Sequence, residues 1–262
     1  MHHYALLGEH LGHSLSVPIH QAVFRHTGWA GEYRLLEIPR GQLAARFPAL
    51  LREMDGLNVT IPYKQEVMPL LSSVDDFAAG VGAVNTVSIR DGQAQGFNTD
   101  VAGFMAMLRF HGLEAADRPA FVLGTGGASR AAAAGLRTLG AASVTMVSRH
   151  PQGEEISYAQ LTEQFSGLLV NCTPAGMYPD SEGCPLSPAQ LAAVLPRASG
   201  VADMIYRPAQ TVLTRAAQAQ GVPACTGLMM LIHQAVAAEE IWQGRALGME
   251  LTQQLMKELT LP

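Results

Sequence analysis

The chain has 262 residues, room for one large domain or two of ordinary size at about 100–200 residues each. Hydrophobic residues supply 48% and charged ones only 15%, which excludes a mainly disordered chain, and a net charge of -5 argues against a surface built for nucleic acid or an anionic membrane. Three scattered cysteines, Cys172, Cys184 and Cys225, form no CxxC pair; neither a disulfide framework nor a metal site is expected, and a reducing, cytoplasmic compartment fits them.

The opening MHHYALLGEHLGHS has no basic stretch before a long apolar one and does not read as a signal peptide. Apolar runs then alternate with helical patterns: a strand over 4–7, a helix over 18–26, a strand over 32–38, a helix over 42–51 and a strand over 57–59. This alternation predicts an α/β fold with a mainly parallel sheet. Residues 83–89 and 93–97 flank Asp91-Gly92, the residue pair that a type I′ hairpin turn favours. A second series follows Asp100, with a helix over 101–110, strands over 120–123 and 143–147, a helix over 129–139, and further strands near 167–170 and 200–202. The segment 178–188, rich in turn formers, reads as a long flap or a plain surface loop. Helices over 228–241 and 250–259 close the chain; the first is its richest apolar run, but His233, Gln234, Glu239 and Glu240 interrupt it, so it reads as a buried helix and not a membrane span.

FVLGTGGASRAAAAGL places Gly124, Gly126 and Gly127 between an apolar strand and an alanine-rich helix. In that context the glycines allow a tight turn and close approach of a pyrophosphate to the helix N-terminus, although Ser129 stands where the third fingerprint glycine would be. The next strand ends in Ser148-Arg149-His150, with no acid to hold the ribose diol of NAD; Arg149 can instead pair with a 2′-phosphate, which favours NADP.

Polar residues cluster in the first half. Ser14 and Ser16 precede a helix opened by Pro18, where they can grip a carboxylate or polyol or simply cap the helix. In GLNVTIPYK, Asn58 and Thr60 interrupt a strand end, and Pro62 is expected to start a helix that carries Lys64. Asn85-Thr86 and Asn98-Thr99-Asp100 repeat one polar theme, either turn chemistry or a site in which Lys64 and Asp100 exchange a proton with one substrate. His13, His20 and His233 show no ligand spacing and read as ordinary polar or core histidines.

Together GHSLSVPIH, GLNVTIPYK, GAVNTV, GFNTD, LGTGGASRA, NCTPAGMYP, DMIYRP and GLMMLIHQA, in collinear order over nearly the whole chain, resemble the shikimate dehydrogenase family. The resemblance implies reversible NADPH-dependent reduction of 3-dehydroshikimate to shikimate, on the route to chorismate and the aromatic amino acids. It also implies a discontinuous substrate domain (residues 1–100 and 229–262) facing a Rossmann-type NADP(H) domain (residues 101–228) across a cleft. Matched by position, Lys64 and Asp100 are the catalytic pair. Ser14 and Ser16 hold the substrate carboxylate, while Thr60, Asn85, Asp100, Tyr206 and Gln234 meet the ring hydroxyls. Gly124, Gly126, Gly127, Ala128, Ser148, Arg149, Met204 and Gly227, with Asp76 as a further candidate, fall on the cofactor side.

Two departures stand out: GEHLGHSLS lacks the family's usual Pro-Ile, and Ser148-Arg149-His150 replaces Asn-Arg-Thr. Partners are then a small-molecule substrate, with no nucleic acid and no membrane, and the assembly can be a homodimer. A quinate/shikimate dehydrogenase using NAD and a non-catalytic shikimate- or NADP-binding homologue are the alternatives.

Overall fold

A computed structural model of the chain describes residues 1–12 and 14–259; His13, read above as an ordinary histidine, and residues 260–262, the end of the expected 229–262 segment, lie outside the described residues. The chain divides into two compact units, one formed by Met1–Asp100 with residues 232–259, the other by Val101–Leu231. Among the described residues no helix is long and apolar enough to cross a membrane.

The first unit holds β1 (His2–Gly8), α1 (Ser16–Thr27), β2 (Gly31–Glu37), α2 (Leu43–Glu53), β3 (Gly56–Val59), β4 (Ser73–Val74), α3 (Asp76–Val81), β5 (Thr86–Arg90) and β6 (Gln93–Phe97). Its sheet runs β2-β1-β3-β5-β6-β4. Strand β1 pairs in parallel with β2 and β3, β5 runs antiparallel to β3 and β6, and β4 is parallel to β6. The period of two in β1 explains its central place, because each face of the strand feeds a different core. Ala5 and Leu7 join Leu43, Phe47 and Leu50 of α2, whereas Tyr4 and Leu6 join Phe24 of α1 and Trp242. The hairpin turn is as expected, with Asp91 at φ 51° and Gly92 at φ 73°.

One local expectation is overturned. Lys64 lies not on a helix but on a chain of tight turns running into a single 3₁₀ turn at Met68–Leu70. The Tyr63 hydroxyl is buried and donates to the Ile38 carbonyl, and the Val84 N–H takes up the Lys64 carbonyl. The second bond takes the Lys64 carbonyl, which a regular helix would need for its own ladder.

The second unit continues with α4 (Asp100–Phe110), β7 (Pro119–Leu123), α5 (Gly127–Thr138), β8 (Ser143–Val147), α6 (Tyr158–Gln164), β9 (Gly167–Asn171), α7 (Pro188–Val194), β10 (Ala198–Asp203), α8 (Val212–Ala219) and β11 (Ala224–Cys225). The chain closes with α9 (Leu228–Gln243) and α10 (Gly248–Glu258). The five strands form an all-parallel sheet in the order β11-β10-β9-β7-β8. Beyond β8, Ile156 makes a lone parallel bridge to Val147, with its N–H on the Met146 carbonyl and its carbonyl on the Ser148 N–H. Counting that bridge as a vestigial third strand restores the doubly wound dinucleotide-binding order, whose reversal falls between β7 and β9. Helices α6, α7 and α8 escape the sequence reading because they are only seven or eight residues long. Capping boxes at Ser157, Ser187 and Thr211 start all three.

Candidate active site

In the first unit, the carboxyl end of β3, the start of β5 and the turn after β6 bring the polar residues together. Lys64 Nζ donates to Asp100 Oδ2 at 2.6 Å, and Asn85 Nδ2 donates to Asp100 Oδ1 at 2.9 Å. Asn85 also orders its neighbours, since its Oδ1 accepts from the Thr99 N–H at 2.7 Å and from the Thr86 hydroxyl at 3.1 Å. Asn58 extends the network, donating to Thr86 Oγ1 at 3.1 Å and accepting from the Tyr33 hydroxyl at 2.8 Å. Asn58, Asn85, Thr86, Thr99 and Asp100 are all buried. The Lys64 side chain is 17% exposed and that of Asp100 9%, so both charges of the pair keep some access to solvent or a ligand.

Ser14 and Ser16 are joined by a 3.1 Å bond between their hydroxyls, and the Ser16 N–H donates to Ser14 Oγ. Neither caps α1, whose N-cap position is Leu15 with no side-chain bond. Thr60 closes β3, its N–H bound to the Leu7 carbonyl. Asp76 is exposed on the first turn of α3, which Asp75 and not Asp76 caps. Gln234 lies half-buried on α9.

Tyr33 is not marked by any sequence motif, and His20, read above as an ordinary polar or core histidine, is fully buried. Tyr33, on β2, donates to Asn58, and burial together with the nearby Glu239 pushes its hydroxyl pKa well up. His20 Nδ1 and Glu239 Oε1 meet at 2.6 Å with both side chains fully buried, and the imidazole stacks on Tyr33 at 3.9 Å between ring centroids. Neither has a motif: His20 and Tyr33 sit in amphipathic patterns where any polar residue could face solvent. His233 is held by Thr252 at 2.9 Å, and burial lowers its pKa.

In the second unit Gly124 follows β7 at φ +102°, a left-handed backbone that disfavours any side chain, and a Cβ there would also lie 3.2 Å from Ser129 Oγ. Gly126 is the N-cap of α5 and has open space around it; Gly127 and Ala128 form the first turn. The leading N–H groups of that turn have no helical carbonyl to bind. Ser129 is buried, so a small residue is what this packing demands. Ser148 and the exposed Arg149 end β8, with no acid at the strand end.

Asp203 closes β10 with Oδ1 accepting from Asn171 Nδ2 at 3.0 Å and the Ile205 N–H at 3.1 Å, and Oδ2 from the Thr211 hydroxyl at 2.8 Å. Burial pushes its carboxyl pKa up to about 6 despite those donors. The group anchors the loop of Met204 and Tyr206. Met204 donates its N–H to the Asn171 carbonyl, and its sulfur accepts from the Cys172 thiol. Gly227 lies against the Met204 carbonyl so closely that a Cβ would collide with it.

A family model described as the shikimate dehydrogenase substrate binding domain matches residues 6–87. The shikimate dehydrogenase (NADP(+)) of Clostridium beijerinckii is 36% identical over 97% of both chains. The crystal structure of a chorismate mutase/shikimate 5-dehydrogenase fusion protein from Clostridium acetobutylicum aligns at TM-score 0.92 with 36% identity, covering 98% of this chain and 97% of that one. The Thermus thermophilus shikimate 5-dehydrogenase in complex with NADP(H) and shikimate aligns at TM-score 0.87 with 32% identity, covering 98% and 99%.

Proposed function

The chain belongs to the shikimate dehydrogenase family, and on that premise we propose that it interconverts 3-dehydroshikimate and shikimate with NADP(H). The observation that carries this reading is the buried cluster in which Asn85 and Lys64 share the two oxygens of Asp100. Residues 1–100 with 229–262 then serve as the substrate domain and 101–228 as the cofactor domain. Cytoplasmic location and homodimeric assembly belong to the same reading; three free cysteines support the former.

The residues present fit NADP. Gly124 holds the tight turn, Gly126, Gly127 and Ala128 leave the start of α5 open to a pyrophosphate, and Arg149 with Ser148 suits a 2′-phosphate. Met204, Gly227 and Asp76 complete the assigned cofactor positions. When bound, the nicotinamide supplies or accepts the hydride.

The chain's own residues do the rest. Ser14 and Ser16 hold the substrate carboxylate, and Thr60, Asn85, Tyr206 and Gln234 hold ring hydroxyls. Lys64, as its ammonium, polarises the carbonyl oxygen at the reacting carbon and gives it a proton. Asp100 keeps the ammonium aimed through the 2.6 Å bond and takes a hydroxyl of the substrate with the same carboxylate. Lys64→Ala should lower turnover by about 10²–10⁴, the usual worth of a positioned acid, while shikimate binding measured by calorimetry weakens far less. Near-normal turnover would refute the assignment. Shikimate and quinate compared with NADP and NAD, side by side, test the substrate and cofactor choice.

A further inference from the structure

The carboxyl ends of β9 and β10 are built alike. Asn171 and Asp203 are register partners on these neighbouring parallel strands, and each side chain bends its own chain by accepting an N–H just beyond the strand, from Thr173 at 3.0 Å and from Ile205 at 3.1 Å. The two bends are bonded to each other, with Asn171 Nδ2 donating to Asp203 Oδ1 at 3.0 Å and both residues fully buried. Backbone bonds complete the junction: the Met204 N–H goes to the Asn171 carbonyl, and the Gly227 N–H goes to the Ile205 carbonyl. One buried pair therefore sets the loop of Met204 and Tyr206 and, through Ile205, the place of Gly227.

The strand order of this unit reverses between β7 and β9. Gly124, Ser148 and Arg149 follow β7 and β8 on one side of the reversal, whereas Asn171 and Asp203 end β9 and β10 on the other. A dinucleotide laid across that point with its adenosine at Arg149 brings its nicotinamide half to the second side. We propose that Asn171 and Asp203 are positioning residues for the nicotinamide half of NADP(H), their bond holding the Met204–Tyr206 loop where that half docks. The inference rests on the function proposed above. Both side chains are closed off from solvent, so they act through the loop and not by touching the cofactor. A loop fixed before binding costs less to order when the ligand arrives.

Asn171→Ser is the decisive variant, because a serine hydroxyl can still accept the Thr173 N–H but is too short to reach Asp203. The expected result by calorimetry is a rise of about tenfold in Kd for NADP, the worth of one buried hydrogen bond. Adenosine 2′,5′-bisphosphate, a probe of the adenosine half alone, should keep its Kd within about twofold. Asp203→Ala should show the same split, and Asp203→Asn, which keeps an oxygen for Asn171 and Ile205, should restore tight NADP binding. Where Asp203→Ala does not fold, Asn171→Ser alone decides. A lower thermal midpoint with NADP binding unmoved in Asn171→Ser would show a purely structural pair and overturn the proposal. So would equal losses for both ligands, which report a disturbance of the whole unit. A wild-type chain that binds neither ligand overturns the function on which the inference rests, whereas one that turns over shikimate with NADP and shows no split in Asn171→Ser overturns the anchor alone.

Discussion

Asn85 and Asp100 meet side chain to side chain, Nδ2 to Oδ1 at 2.9 Å, which leaves the second carboxylate oxygen for Lys64 at 2.6 Å. The amide therefore decides which oxygen the ammonium faces.

Asn85→Ala removes that constraint and strands the Thr99 N–H. Each buried group left unpaired costs about 1–3 kcal/mol, so unfolding in urea should show a loss of that order. Turnover should fall by about 10–100-fold as the Asp100 carboxylate swings free of its set position. Steady-state rates on a variant shown folded by circular dichroism separate the two effects.

Asp203 makes stability depend on pH in a defined window. Burial raises its pKa from 3.8 to about 6, so the folded protein holds the proton more tightly than the unfolded chain. Its contribution is therefore fully present below the lower value and lost as pH rises through the higher one, a change on the order of 3 kcal/mol. Asp203→Asn should flatten the stability curve across that window while keeping acceptors for the Ile205 N–H. Denaturant midpoints for both proteins between about pH 4 and about pH 7 test this, and parallel curves would sink it.

Arg149 is exposed at the end of β8, free to meet a phosphate. Arg149→Ala is expected to raise KM for NADP by about 10–100-fold, the loss of a charge-assisted bond, and to leave KM for NAD unchanged. Equal losses with both cofactors would mean that the guanidinium does not read the 2′-phosphate.

The His20–Glu239 pair has no access to water. Removing one partner strands the other, so Glu239→Leu should destabilise the protein by about 1–3 kcal/mol, the cost of a buried polar group left unpaired. Replacing both with apolar residues should cost much less. Urea unfolding of the two variants decides the matter, since equal losses would show that the pair is not coupled.

The elements that carry chemistry were legible where local rules dominate. Asp91-Gly92 announces its hairpin because few residues tolerate two positive φ angles, and Gly124 announces its turn for a related reason. The 4–7 run reads as a strand, yet its two-sided burial depends on α1 and α2 arriving on opposite faces. Short pieces such as β4 and α3 carry too few residues for a period to emerge. The turn at Lys64 departs from the expected helix because the bond that takes up the Lys64 carbonyl comes from Val84, distant in sequence.

The sequence by itself determined the chemistry: which side chains are present, in which order, and the family whose motifs they match. Only the tertiary structure decided their partners. Tyr33 and Asn58 are 25 residues apart, and His20 and Glu239 are 219 apart. No local propensity couples positions so distant. They meet because apolar faces of β1, α1 and α9 are buried together, and burial obliges each polar group they carry inward to find a partner.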